Sequence, residues 1–255
     1  MLGLFVTGIS PYISLFKRTA LRSLVKRGAE GRILHIGKAD VYYADLSLPL
    51  SVPDSGYQRF LDSTFRAAYE RGVRQAVMPA FMEKTAGQTG ISAVRDIQVL
   101  RRFAARAAIS LIGGDRDCFV KIYARMPCRE AVDCLYELAE KCRYVTAAGG
   151  EWAGSARRRL LRDYGAAAAP YTKGVRRITL AFDGGFSENA EIIDLTKGEG
   201  KGSWLRPRLF LAGRPNIKGY FDETLLAAAL VMNRALDEKE VLVCCPPRLD
   251  TEGCS

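Results

Sequence analysis

The residues of this chain best suited to chemistry are a pair of glycines and the basic side chains that follow them. Tyr144 to Ala148 is a short apolar stretch, Gly149-Gly150 is a sharp turn, and Glu151 to Tyr164 has a helical pattern that stops at Gly165. A strand, a glycine turn and a helix start place free backbone N–H groups and the positive end of a helix dipole where an anion can sit. Lys173, Arg176 and Arg177 lie beyond the helix and suit a phosphate. Asp183-Gly184 ends another expected strand, the position at which α/β sheets gather ligand contacts. Gly149, Gly150, Gly154, Lys173, Arg176, Arg177, Asp183 and Gly184 are therefore the candidate binding residues for a small anionic, nucleotide-like ligand.

The central turn resembles a Rossmann-type binding loop, G-x-G-x-x-G, which implies NAD(P) as a cofactor and an oxidoreductase as one reading. It departs from the motif where the motif is most diagnostic. The register from Gly149 to Gly154 puts Glu151 where backbone must approach a pyrophosphate, and the ribose-binding acid expected about 20 residues on is replaced by Ala166 to Pro170. Glu151 also favours the helix N-terminus by itself and repels an anion there. Gly113-Gly114-Asp115 resembles, over three residues, the hairpin signature of diguanylate cyclases, but Arg116-Asp117 follow it where that family has Glu-Phe. Lys197 to Ser203 is a glycine-rich loop that lacks the order of a P-loop and precedes Trp204 to Pro207, not a helix.

Other chemistries find less. His35 is the only histidine and stands in an apolar strand pattern, so it is expected to be packed or hydrogen-bonded, and three-histidine zinc chemistry is excluded. Seven cysteines include no C-x-x-C pair and are odd in number, which indicates neither a zinc site nor a disulfide framework. No nucleophile signature is present, and no catalytic group can be named. Trp152 reads as core or as a stacking platform.

The formal charge of +10 and a pI near 9.4 point to an anionic partner. The basic residues are dispersed in small clusters, including Arg101-Arg102, Arg157 to Arg159 and Arg176-Arg177, which is the pattern of a solvated surface more than of a nucleic-acid stripe. Nucleic-acid association remains a further reading. The first 16 residues lack charge but contain Gly3, Gly8 and Pro11, are too short to span a bilayer, and have their basic residues after and not before the apolar run. A cytoplasmic protein without a membrane span is expected.

The elements that must position these residues alternate in type. Strands are expected at Leu2 to Ile9, Arg32 to Lys38 and Val41 to Leu46, the last two as a hairpin. Tyr57, Phe60, Leu61, Thr64, Phe65, Ala68 and Tyr69 recur at helical spacing between Asp54 and Gly72, and their aromatics read as core. A strand at Val73 to Pro79, a turn-rich segment from Met82 to Gly90 and a long helix over Ala93 to Ala107 follow. Then come strands at Ile109 to Ile112 and Cys118 to Ala124, and a helix from Pro127 to Cys142. After the glycine turn, strands are expected at Arg177 to Phe182, Glu191 to Leu195 and Leu209 to Leu211, a helix capped by Asp222, and a last strand at Val241 to Cys245. The fold class is α/β with two units, 1–107 and 108–255, the C-terminal one a Rossmann-like, mostly parallel sheet flanked by helices. No internal repeat is visible.

Overall fold

A computed structural model describes residues 1–7, 28–46, 54–113, 118–165, 175–184, 190–196, 204–213, 217 and 221–245. The fold is α/β. The chain forms two compact units, Met1–Asp96 with Phe210–Leu242, and Ile97–Leu209 with Val243–Ser255.

In the first unit, β1 (Leu2–Val6) is buried at every position, as expected of a parallel strand covered on both faces. It pairs in parallel with β3 (Ala39–Asp45) on one side and β4 (Gln75–Val77) on the other. β5 (Ser92–Ala93) extends the sheet in parallel beyond β4, and β2 (Arg32–Ile36) is an antiparallel edge, giving the order β2-β3-β1-β4-β5. The expected hairpin is present. Ile36 pairs with Ala39 across Gly37-Lys38, with Gly37 at φ +58°.

Helix α1 (Asp54–Glu70) places Phe60, Leu61, Thr64, Phe65 and Ala68 in the core, the one-face spacing read from the sequence. The Phe65 ring meets Phe5 edge-on at 4.8 Å, and Phe5 in turn meets Tyr42 at 6.2 Å. Thr64 fits this interior because its hydroxyl donates to Phe60 O and accepts from Ala29 N–H, each at 2.8 Å. Tyr69 departs from the expected core. It is 37% exposed, with the Arg74 guanidinium 3.7 Å above its ring.

The segment expected to be turn-rich winds into a 3₁₀ turn (Ala80–Met82) and the short helix α2 (Glu83–Gln88). The single long helix expected over Ala93 to Ala107 is instead β5 followed by α3 (Ile97–Arg102) and α4 (Ala104–Ile112), separated at Phe103. Ile109 to Ile112, expected as a strand, is the last turn of α4, which ends at Gly113 with φ +64°. Its physical cause is local. Ala104, Ala105, Ala107, Ala108, Leu111 and Ile112 make one continuous buried helical face, and alanine propagates the helix through Ile109. A four-residue apolar run does not by itself distinguish a strand from such a turn.

The second unit has a four-stranded, all-parallel sheet, β6 (Phe119–Tyr123), β7 (Tyr144–Ala148), β8 (Arg177–Ala181) and β9 (Glu191–Asp194), in the order β7-β6-β8-β9. Helices α5 (Arg129–Lys141) and α6 (Trp152–Tyr164) connect its strands, and Gly165 ends α6 at φ +62°. β10 (Arg208–Leu211) and β11 (Val241–Cys244) form a separate two-stranded sheet. Helix α7 (Glu223–Met232) is buried from Leu226 to Val231, and Asp222 caps it by accepting the Leu225 N–H at 3.1 Å.

The two units share more than the alternation of elements. Counted among the parallel strands alone, β3-β1-β4-β5 and β7-β6-β8-β9 have the same order, second-first-third-fourth. The repeat absent from the sequence is present in the topology.

Among the described residues, no helix is long and apolar enough to cross a membrane. Their six cysteines are free, with Cys128 and Cys142 at the two ends of α5 and Cys134 within it.

Two outcomes follow from this packing. Phe65→Ala, which removes the ring that Phe5 rests on, should destabilise the protein by about 3–5 kcal/mol in denaturant unfolding. Burial, with Cys244 and Glu191 nearby, pushes the Cys245 thiol from 9.0 up to about 12. A thiol raised in the folded state contributes stability that is complete below the unfolded value and is lost as pH rises toward the folded one. Native protein at pH 9 should therefore be alkylated at the exposed Cys244 and not at Cys245, which should react only after unfolding; peptide mass spectrometry reads the difference.

Candidate functional site

Parallel strands bring their carboxyl ends to one edge, so position along a strand decides which candidate residues can meet. In the second unit Tyr123, Ala148 and Ala181 stand in register at that edge. Gly149, Gly150, Asp183 and Gly184 continue directly from it, and Gly154 lies in the first turns of α6. Arg177 is paired with Phe119 at the start of β8, the opposite edge. With a rise of about 3.3 Å per residue, the length of β8 separates it from the glycines by roughly 13 Å. Arg176 precedes it, held by both carboxylate oxygens of Glu191 at 2.6 and 2.9 Å and donating to Leu111 O at 2.9 Å. Lys173 lies outside the described residues. The basic residues read as phosphate contacts for the glycine turn are thus not brought to it where they are described.

The glycines themselves have a structural explanation. Gly149 has φ +82°, and a Cβ there would stand 2.6 Å from Ala124 O; Gly150 has φ +63°, and a Cβ would stand 2.1 Å from Arg125 O. The turn after β7 therefore presses on the turn after β6. Two further bonds fasten this region. Trp152 Nε1 donates to Ala124 O at 2.7 Å, and the Arg125 N–H donates to Asp183 Oδ2 at 2.8 Å, joining the end of β6 to the end of β8. Trp152 is half-buried and serves as a hydrogen-bonding wedge.

Farther along this edge Arg101 donates to Leu195 O at 2.9 Å and to Phe182 O. Buried Asp194 accepts from both the N–H and the hydroxyl of Thr196, at 2.9 and 2.7 Å. Cys128 begins α5, and burial raises its thiol despite the Ala131 N–H and the Arg101 charge, so it is not an activated nucleophile.

The corresponding edge of the first unit holds a cleft of about 460 Å³. It opens at the carboxyl ends of β1 and β4, adjacent strands from which the chain proceeds in opposite directions, to β3 and to β5. This is the crevice at which open α/β sheets bind ligands. Phe5 and Thr7 contribute from β1, Val77 to Ala80 from the end of β4, and Phe221 and Leu225 from the start of α7. Two acids complete the lining. Glu83 opens α2 and has both oxygens bound by Arg95, at 3.1 and 2.6 Å. Asp222 presents the carboxylate that caps α7. Among the described residues, no basic side chain lines the cleft.

Sequence reasoning passed over Glu83 and assigned Asp222 only as a cap. The signal at hand was Met78-Pro79, since proline immediately after an apolar strand marks where the sheet edge is left. His35, in contrast, is in neither edge; it is 79% exposed on the edge strand and donates to Asp40 Oδ1 at 2.6 Å. Arg157 to Arg159 are exposed on α6, where Arg162 and Arg159 bond to Asp163 and hold its carboxyl below the usual range.

If the glycine turn is a packing device, substitution there should be costly in stability. Gly165→Ala, at a similar φ but with nothing within 4 Å, should cost about 1–2 kcal/mol from the left-handed conformation alone. Gly150→Ala should cost clearly more, because the Arg125 backbone must also move; equal unfolding midpoints for the two variants would show that the contact is unimportant.

No protein-family model matches this chain and no curated protein matches it, which leaves the geometry of the two sheet edges as the ground for a functional reading.

Proposed function

We propose that this chain is a cytoplasmic binding or regulatory protein for a small nucleotide-like molecule, held in the cleft of the first unit. The observation that carries the reading is the cleft itself, about 460 Å³ at the carboxyl ends of β1 and β4, where the direction of strand progression reverses. Its volume suits a small organic ligand. Pro79, Phe221 and Leu225, each partly exposed, offer an apolar surface to a flat base, while Thr7, Glu83 and Asp222 offer polar groups to a sugar. Asp222, in the described part of the lining, directs any phosphate of such a ligand away from itself.

Binding is favoured over reaction by the state of the polar groups. Glu83 is neutralised by Arg95, Asp222 is engaged in capping, and among the described residues neither histidine nor cysteine lines the cleft to act as base or nucleophile. Strand order adds support by analogy, as the order found in both units is one on which doubly wound, Rossmann-like proteins place nucleotides. Free cysteines support a reducing, cytoplasmic setting. An oxidoreductase reading with NAD(P) at Gly149-Gly150 has less behind it, since those glycines pack on the chain's own backbone and Arg176 and Arg177 lie at the other edge.

Thermal unfolding with adenosine, AMP, ATP, NAD and the corresponding guanine and pyrimidine compounds tests the proposal. A ligand at about 100 times its dissociation constant should stabilise the protein by roughly 2.7 kcal/mol. Ala80→Trp, which fills the cleft from an exposed position, should abolish that shift without lowering the stability of the unliganded protein appreciably. A panel that moves no melting temperature, or a shift that survives Ala80→Trp, would overturn the assignment.

A further inference from the structure

The two acids of the first unit's cleft differ in what they have left to offer. Both oxygens of Glu83 are bound by the two terminal nitrogens of Arg95, a bidentate pair whose charge is compensated within the protein. Asp222 is exposed, and its side chain accepts the Leu225 N–H on Oδ1. A carboxylate has about four lone-pair directions over its two oxygens, so Asp222 retains capacity for a pair of further donors. It also stands between Phe221 and Leu225, at the mouth of α7, where an apolar wall and a fixed acceptor adjoin. The backbone bond matters here: it fixes the carboxylate to the first turn of a helix buried from Leu226 onward, so the acceptor is held in place before any ligand arrives.

We infer that Asp222 is the specificity residue of this cleft and that it takes the paired 2′- and 3′-hydroxyls of a ribonucleoside. A vicinal diol supplies two donors at the spacing of two carboxylate oxygens, whereas a free phosphate or a carboxylate ligand brings negative charge and is repelled. The base lies against the apolar wall of Pro79, Phe221 and Leu225, with Glu83 at the rim neutralised by Arg95. The cleft therefore selects ribonucleosides and their derivatives over deoxy analogues and over simple anions. This rests on the assignment of the cleft as a nucleotide-like site.

Asp222→Asn is the informative variant, because asparagine caps a helix as well as aspartate does and α7 keeps its first turn. Calorimetric titration of the full chain with adenosine, guanosine, cytidine and uridine, and with their 2′,3′-dideoxy counterparts, measures the preference directly. Wild-type protein should bind at least one ribonucleoside roughly tenfold or more tightly than its dideoxy counterpart, the usual margin for hydrogen bonds to a charged group. Asp222→Asn should unfold at the wild-type midpoint and bind both forms with the weaker affinity. If wild-type protein binds both forms equally, or the variant keeps the preference, the role of Asp222 is overturned while the cleft assignment stands. Binding by no nucleoside to wild-type protein, with Ala80→Trp indistinguishable from it, overturns the cleft assignment as well.

Discussion

Both sheets depend on the requirement that a parallel strand be covered on two faces. β1 is buried at all five positions, and β6 carries Val120 and Ile122 fully buried within its own sheet. Such strands cannot be joined by a tight turn, since parallel neighbours need a crossover, and the crossover helices supply the covering layers. Every strand must then end at the same edge as its parallel neighbours. A polar edge of converging loops arises from the apolar demand of the strands, and function is placed there by construction more than by selection of any one motif.

The two edges show how differently one topology can be finished. In the second unit the ends of β6 and β8 are joined by the Arg125 N–H to Asp183 bond, the Gly149-Gly150 turn lies on the backbone of Ala124 and Arg125, and Trp152 is bonded into the same turn. In the first unit a cleft opens at the ends of β1 and β4, with Glu83 and Asp222 in its described lining. A sheet that joins its switch point with its own hydrogen bonds gains stability there and loses room. One that leaves it open keeps room there for another molecule.

Much of the architecture was legible because it rests on local patterns. The α1 stripe, the Asp54 and Gly72 limits, the hairpin at Gly37-Lys38, β7 with its glycine turn, and the Asp222 cap all follow from spacing and from residues with one strong conformational preference. Ile109 to Ile112 did not, because an apolar run of that length is decided by the alanines before it. The candidate site was less legible for the same reason. Glycines announce strained turns whether a phosphate or a neighbouring backbone approaches, so Gly149 and Gly150 could not reveal that Ala124 and Arg125 take the space. The cleft draws residues from positions 5, 77, 83 and 222, and no local pattern joins them.

Net charge alone does not locate an anion site, and several of the arginines are held as hydrogen-bond donors to main-chain carbonyls. Arg101 serves Phe182 and Leu195, Arg176 serves Leu111, Arg71 serves Gly31, and Arg74 serves Tyr69 and Val73. These acceptors lie at the ends of strands and helices, where carbonyls lack partners within the element. A guanidinium reaches two such groups from one side chain and keeps part of its surface in water, and Arg74 and Arg71 also lie over the rings of Tyr69 and Tyr42. The residue type that contributes to the net charge of +10 thus also helps to close the ends of the fold. An arginine held on a carbonyl is fixed where that carbonyl lies, so a cleft can have acids in its described lining in a basic protein without contradiction.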